Sequence, residues 1–269
     1  MKKLTFFLVA LMMTVLAACG GGGGDAEEVY QKAMQAGEKL ESAEMDIKIK
    51  QTMDAGELMG TVTMEMDSIA SVIVDPFAMY QKGSMAMEME GFPIEMETEM
   101  YMVDSDFYMY DSMSDMWIKM GADMMPTEMM NMEQNPHEQL EILESFLDDI
   151  EFKEESDYYV FIYDGDGKDL VELSKEIIKE NLDDDTLASF GMEMEEVFDQ
   201  MNIHSLYYEI QIDKKTYDTK SVITNMDFEI DVDGESMAIQ QEMNATYTGI
   251  NTIDKIEVPQ EVIDEAQEF

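Results

Sequence analysis

Residues 84–120 read SMAMEMEGFPIEMETEMYMVDSDFYMYDSMSDMWIKM. Met85, Met87 and Met89 alternate with Ala86, Glu88 and Glu90. After Gly91-Phe92-Pro93 the alternation resumes: Ile94, Met96, Thr98, Met100 and Met102 stand against Glu95, Glu97 and Glu99. Successive side chains of a strand point to opposite faces. The stretch therefore predicts two antiparallel strands with a thioether face and a carboxylate face. The acids belong to water, and the methionines need a cover: a helix, another sheet or a ligand.

The same period of two recurs on both sides. Met45, Ile47, Ile49 and Met53 alternate, Asp54-Ala55-Gly56 makes a turn, and Val62, Met64 and Met66 follow. Ser71 to Val74 reads as a further short strand, stopped by Asp75-Pro76, and Phe77 to Gln81 as renewed extended structure. Phe107–Tyr110 and Met116–Met120 read as strands, with Trp117 at the end of the sheet. Phe152 and Tyr158–Tyr163 read as a hairpin. Three long strands close the chain, the last two joined by the hairpin signal Asp233-Gly234. Helical spacing marks 25–42, about 135–147, about 168–182 and about 186–201. Residues 121–134 read as a Met-rich connection and 259–269 as a short terminal helix or tail.

The first 18 residues read as a targeting segment, with Lys2 and Lys3 before the apolar run Leu4–Val15. That run is shorter than the ~20 residues that a spanning helix needs. Leu16-Ala17-Ala18-Cys19 then resembles the lipobox of bacterial lipoproteins, in which the cysteine is acylated and becomes the first residue. Cys19 is the only cysteine. Gly20–Gly24 follow as a tether of about 12 Å reach. Residues 25–269 are expected to form a single domain on the outer face of the plasma membrane.

Charge excludes one class of partner. The formal charge is −45, or −47 once Lys2 and Lys3 are removed, and there is no arginine. Such a surface repels the phosphate backbone of nucleic acid.

The order of a leading helix, a long meander, a helical insertion and a final meander behind a lipobox resembles the LolA/LppX-like superfamily of bacterial lipoproteins and carriers. The closest likeness is to uncharacterised acidic, Met-rich lipoproteins of Gram-positive bacteria, carried by AEEVYQKAMQAGEKLESAEMDIKIK, DFYMYDSMSDMWIKM, YYEIQIDKKTYDTKSVITNMDFEIDV and NATYTGINTIDKIEVPQEV. The resemblance implies an α+β fold: a strongly curved antiparallel half-barrel sheet with helices covering its concave face. It also implies an apolar cavity that binds acyl chains, no catalytic signature, and transfer of one residue only, Cys19.

Thirty-one methionines invite a copper reading, since soft thioethers suit Cu(I). Met64-Glu65-Met66, Met85 to Met89, and Met129-Met130 with Met132 have close spacing. Neighbours on one strand face share that spacing whenever methionine replaces valine or leucine, so core or cavity lining is the simpler account, with oxidant scavenging as a third. The expected cavity residues are Met64, Met66, Met85, Met87, Met89, Met96, Met100 and Met102. His137 and His204 stand 67 residues apart without ligand spacing. Asp164-Gly165-Asp166-Gly167 starts like a calcium loop, but Asp169 and Lys175 occupy the places of its glycine and glutamate, so a turn is expected. Asp183-Asp184-Asp185 reads as a solvated cap, and Asn244-Ala245-Thr246 fits a glycosylation sequon. No hydrolase, zincin or phosphate-loop motif is present. No metal or cofactor is expected. Three readings stay open: a carrier of a hydrophobic ligand or lipidated partner, a non-catalytic envelope scaffold or interaction module with a closed core, and copper or oxidant handling.

Overall fold

The computed structural model describes residues 22–54, 56, 60–89, 91–104, 106–121, 150–165, 201–232 and 235–268. The expected helices over 135–147, 168–182 and 186–200 lie outside the described residues, as do the connection 122–134 and the targeting segment.

A leading helix and two meanders make up most of the described residues. Helix α1 (Gly22–Gly37) leads into β1 (Ser42–Asp54), β2 (Thr61–Ile73), β3 (Ala78–Met89), β4 (Phe92–Val103), β5 (Asp106–Asp111) and β6 (Met116–Gly121). The second meander is β7 (Glu151–Glu154), β8 (Tyr158–Gly165), β9 (Met201–Asp213), β10 (Thr219–Val232) and β11 (Glu235–Thr248). A short helix α2 (Gln260–Glu265) and β12 (Gln267–Glu268) end it. All twelve strands form one open curved sheet in the order β12-β6-β5-β4-β3-β2-β1-β11-β10-β9-β8-β7. Every described pairing is antiparallel except β12 on β6. This is the curved antiparallel sheet that the alternation and the resemblance led one to expect.

Several boundaries move. The helix starts three residues earlier, inside the glycine run, and stops at Gly37, because β1 needs Ser42 onward. The separate strand expected at 71–74 is the end of β2, and β3 runs unbroken from Ala78. Strand period continues through polar Ser68 and Gly83, which face each other across β2 and β3. A Cβ on Gly83 would sit 2.4 Å from the Asp67 carbonyl oxygen, so this close approach admits only glycine. Met201 belongs to β9 rather than to a preceding helix, and β8 extends through Asp164 and Gly165, where a turn was expected. The β10–β11 register, with Val232 opposite Glu235, is the two-residue hairpin that Asp-Gly calls for.

The main core lies between α1 and one end of the sheet. Val29, Tyr30 and Ala33 of α1 pack on Ala43, Met45 and Ile47 of β1, Ala70 and Val72 of β2, and Phe161, Ile210, Ile212, Val222, Ala245 and Tyr247 of the second meander. Spacing of three and four residues puts the helix stripe on one side, and period two does the same for the strands. Asn251 fastens this end. Its side-chain oxygen accepts from the Glu41 and Ser42 amides at 2.7 and 3.2 Å, and its amide group donates to the Lys39 carbonyl at 3.2 Å.

The opposite face is not uniformly wet. Near the β3–β6 end, Tyr101 and Tyr108 are buried beneath Val262 of α2, with Tyr80, Trp117 and Val258 around them. Trp117 meets Tyr101 and Tyr110 with ring centroids 5.8 and 5.5 Å apart. That contact lets β12 reach the edge of β6, pairing Gln267 with Ile118. Glu88, Glu95 and Glu97 keep the exposed carboxylate face that was expected, and past Glu99 the same face becomes an aromatic patch covered by the tail.

Candidate ligand-binding face

Register decides which side chains meet. Met66 stands between Ile49 and Met85, and Met85 opposite Met96. Met64 faces Met87, and Met87 faces Ile94. Val62 faces Met89, and Met89 faces Phe92. Met100 lies opposite Met109, and Met102 between Met79 and Phe107. All eight methionines singled out in the sequence therefore share one face of the sheet, the face on which α1 lies.

They do not share one environment. Met102 is 7% exposed and packs with Phe107, Met79, Met100, Met109 and Met120 in a closed cluster. Met66 touches the α1 core. Met64, Met85, Met87 and Met96 are half-buried. Met89 is 41% exposed, beside Phe92 at 72% and Ile94 at 41%. From Met66 to Met89 the ladder covers about 13 Å along the strands, and from Ile49 to Met96 about 14 Å across them.

A hollow of about 640 Å³ lies over the central strands, but its lining is mainly of the other register. Lys48 and Lys50 of β1 reach Asp67 and Glu65 of β2 at 3.5 and 2.8 Å, and Glu95, Asn225 and Glu242 complete the polar surround. Of the eight methionines, Met66 and Met85 also border it. Charged walls of this kind suit water and not an acyl chain, so this hollow is not the apolar cavity that was expected.

The aromatic patch under the tail was missed from sequence. Glu99 at its rim accepts hydrogen bonds from Tyr80 and Tyr101 at 3.1 and 3.3 Å, and Lys82 donates to its other oxygen at 2.9 Å. Burial, then the neighbouring Tyr80 and Glu99, pushes the Tyr101 phenol well above its ordinary range. Burial does the same for Tyr208 on the other face. The signal was legible: Tyr101-Met102 and Phe107-Tyr108 are apolar on both sides of the strand, which marks burial on both faces.

Cys19, His137, the Met129–Met132 run and Asp183–Asp185 lie outside the described residues. His204 is exposed, its Nε2 3.1 Å from a Glu229 carboxylate oxygen. Among the described residues no three His, Cys, Asp or Glu side chains group to hold a metal ion. Asn244 faces Lys48 across β1 and β11, inside the sheet.

Residues 25–267 match a family described as a family of unknown function, DUF6612. The chain belongs to the DUF6612 family. No curated protein matches it by sequence. Among solved structures, LprF from Mycobacterium bovis is similar at 12% identity and TM-score 0.42, covering 89% of this DUF6612 chain and 99% of its own. Lipoprotein LppX of Mycobacterium tuberculosis is similar at 10% identity and TM-score 0.37, with 88% and 99% covered. A DUF1329 family protein from Desulfovibrio piger has TM-score 0.24 at 9% identity, with 86% and 95% covered.

Proposed function

We propose that this protein is a lipoprotein, held by acylated Cys19 on the outer face of the plasma membrane, that binds an acyl chain or lipidated partner on its methionine face without catalysis. The observation that carries the ligand reading is the ladder itself. Half-buried methionines grade from the closed cluster at Met102 to the exposed Met89 on one continuous face. Unbranched, polarisable side chains adapt to irregular apolar partners, where valine and isoleucine are stiff. Each methylene buried there contributes about 0.8 kcal/mol before ordering costs are subtracted.

A fluorescent fatty-acid probe, titrated into the purified protein, is expected to bind saturably. Met87→Glu is expected to weaken it at least about tenfold, because an unpaired charge then sits on the ladder. Met100→Glu is expected to unfold the protein instead, since Met100 packs against the closed cluster. The closed packing of Met100 and Met102 favours a second reading, an envelope scaffold whose methionines are plain core. Absence of saturable probe binding would leave that one standing. Anchoring is tested separately: Cys19→Ala is expected to abolish palmitate labelling and to release protein from the membrane fraction. Retention without label would defeat the anchor.

A further inference from the structure

Strand β4 is longer than its outer neighbour. It pairs β5 only from Thr98 to Val103, while its first half, Phe92 to Glu97, pairs β3 alone. Among the described residues that half is a free edge, and every residue from Phe92 to Glu97 is exposed except half-buried Met96. Natural sheets shield such edges with lysine, bulges or a covering segment. Here Pro93 contributes no donor, and among the described residues the one added strand on this side, β12, sits on β6. Side chains along the edge are sorted. Phe92, Ile94 and Met96 lie on the methionine face, Glu95 and Glu97 on the other. Neither acid faces a lysine, for their partners on β3 are Ala86 and Ser84, whereas Glu99 further along faces Lys82.

We infer that the Phe92–Glu97 edge is a docking site for an extended segment of another polypeptide in which apolar and basic residues alternate. Main-chain hydrogen bonds supply the pairing, and alternate side chains supply the choice. An added strand places one set of side chains beside Phe92, Ile94 and Met96, and the other beside Glu95 and Glu97. The first set must be apolar and the second basic. A second copy of this chain is disfavoured, because it carries the same acids and a formal charge of −45. This site adjoins the methionine face at Met96, but its pairing runs through the β4 main chain and does not require that an acyl chain bind.

The probe is the labelled, end-blocked peptide Lys-Val-Lys-Val-Lys-Val-Lys, followed by fluorescence anisotropy and by hydrogen exchange of the protein amides. Saturable binding that protects those amides of Ile94–Glu97 that point away from β3 is expected. Replacing the peptide's central valine by proline is expected to weaken it about tenfold, since one ladder donor and the extended pairing are lost. The exposed pair Glu95→Lys with Glu97→Lys is expected to weaken it about tenfold as well, and more at low salt. Glu38→Lys with Asp254→Lys, equal in charge and remote, is expected to leave it within about twofold. The proposal is overturned if the proline peptide binds equally, if both charge pairs act alike, or if protection falls elsewhere. It is equally overturned if the edge proves occupied by a dimer in sedimentation, or if a fatty acid and not the peptide protects it.

Discussion

The two ends of one sheet face are built from different residues. Under α1 the fully buried set is Val, Ile, Ala, Phe and Tyr with a single methionine, Met45. Toward the β3–β4 turn the same face carries Met64, Met85, Met87, Met89 and Met96, none fully buried, together with buried Val62 and exposed Phe92 and Ile94. Where a helix fixes the packing, the chain uses stiff, branched and aromatic shapes. Where described cover is incomplete, it uses the flexible thioether. Methionine thus serves as core at Met45 and Met102 and is concentrated at the end where the surface is open, which suits an adaptable side chain.

Truncating each end tests this directly. Phe161→Ala, at 0% exposure in the covered core, is expected to cost about 3–5 kcal/mol in urea unfolding. Met87→Ala at the open end is expected to cost less, on the order of 1 kcal/mol, since part of its surface stays in water. Equal costs would erase the distinction between the ends.

Alkaline pH probes the covered regions. Tyr101 and Tyr208 have phenols raised mainly by burial, and Tyr207 is pushed up to about 12, chiefly by its hydrogen bond to Glu209. A raised phenol favours the protonated, folded form. That contribution is whole below the unfolded value near 10 and is lost as pH climbs from there through the folded value. Stability is expected to hold to about pH 10 and then fall steeply, with phenolate absorbance appearing together with loss of β-sheet signal. Complete phenolate formation in a still-folded protein would show that these phenols are open to water. The smallest effect expected is from salt: with a formal charge of −45, the melting temperature should rise by a few degrees as NaCl shortens the screening length from about 10 Å at 0.1 M to about 3 Å at 1 M. A flat response would mean that pairs such as Lys50–Glu65 already relieve the repulsion locally.

The alternation made the strands and the shared face of the eight methionines legible, because period two leaves little freedom once turns are marked. It could not reveal β12, whose Gln267-Glu268 carries no pattern and is placed by Val262 docking on Tyr101 and Tyr108. Nor could it distinguish Met102 from Met89. Both are alternating methionines, and among the described residues it is β5 and β6, through Phe107, Met109 and Met120, that close the cluster around Met102 and stop short of Met89.

The central pairing of β1 with β11 has a consequence in time. Asn251 clasps Glu41 across 210 residues, and β1 has no neighbour on that side until β11 exists. At about 5–20 residues per second of synthesis, β1 waits on the order of 10–40 s for β11, with its inner edge unpaired. Lys48 and Lys50 project from that waiting strand, two of only 16 cations in the chain. Lysines on an open edge discourage wrong partners. Their ion pairs to Asp67 and Glu65 need only β2, so the same two lysines are already held in place while they guard the open side of β1.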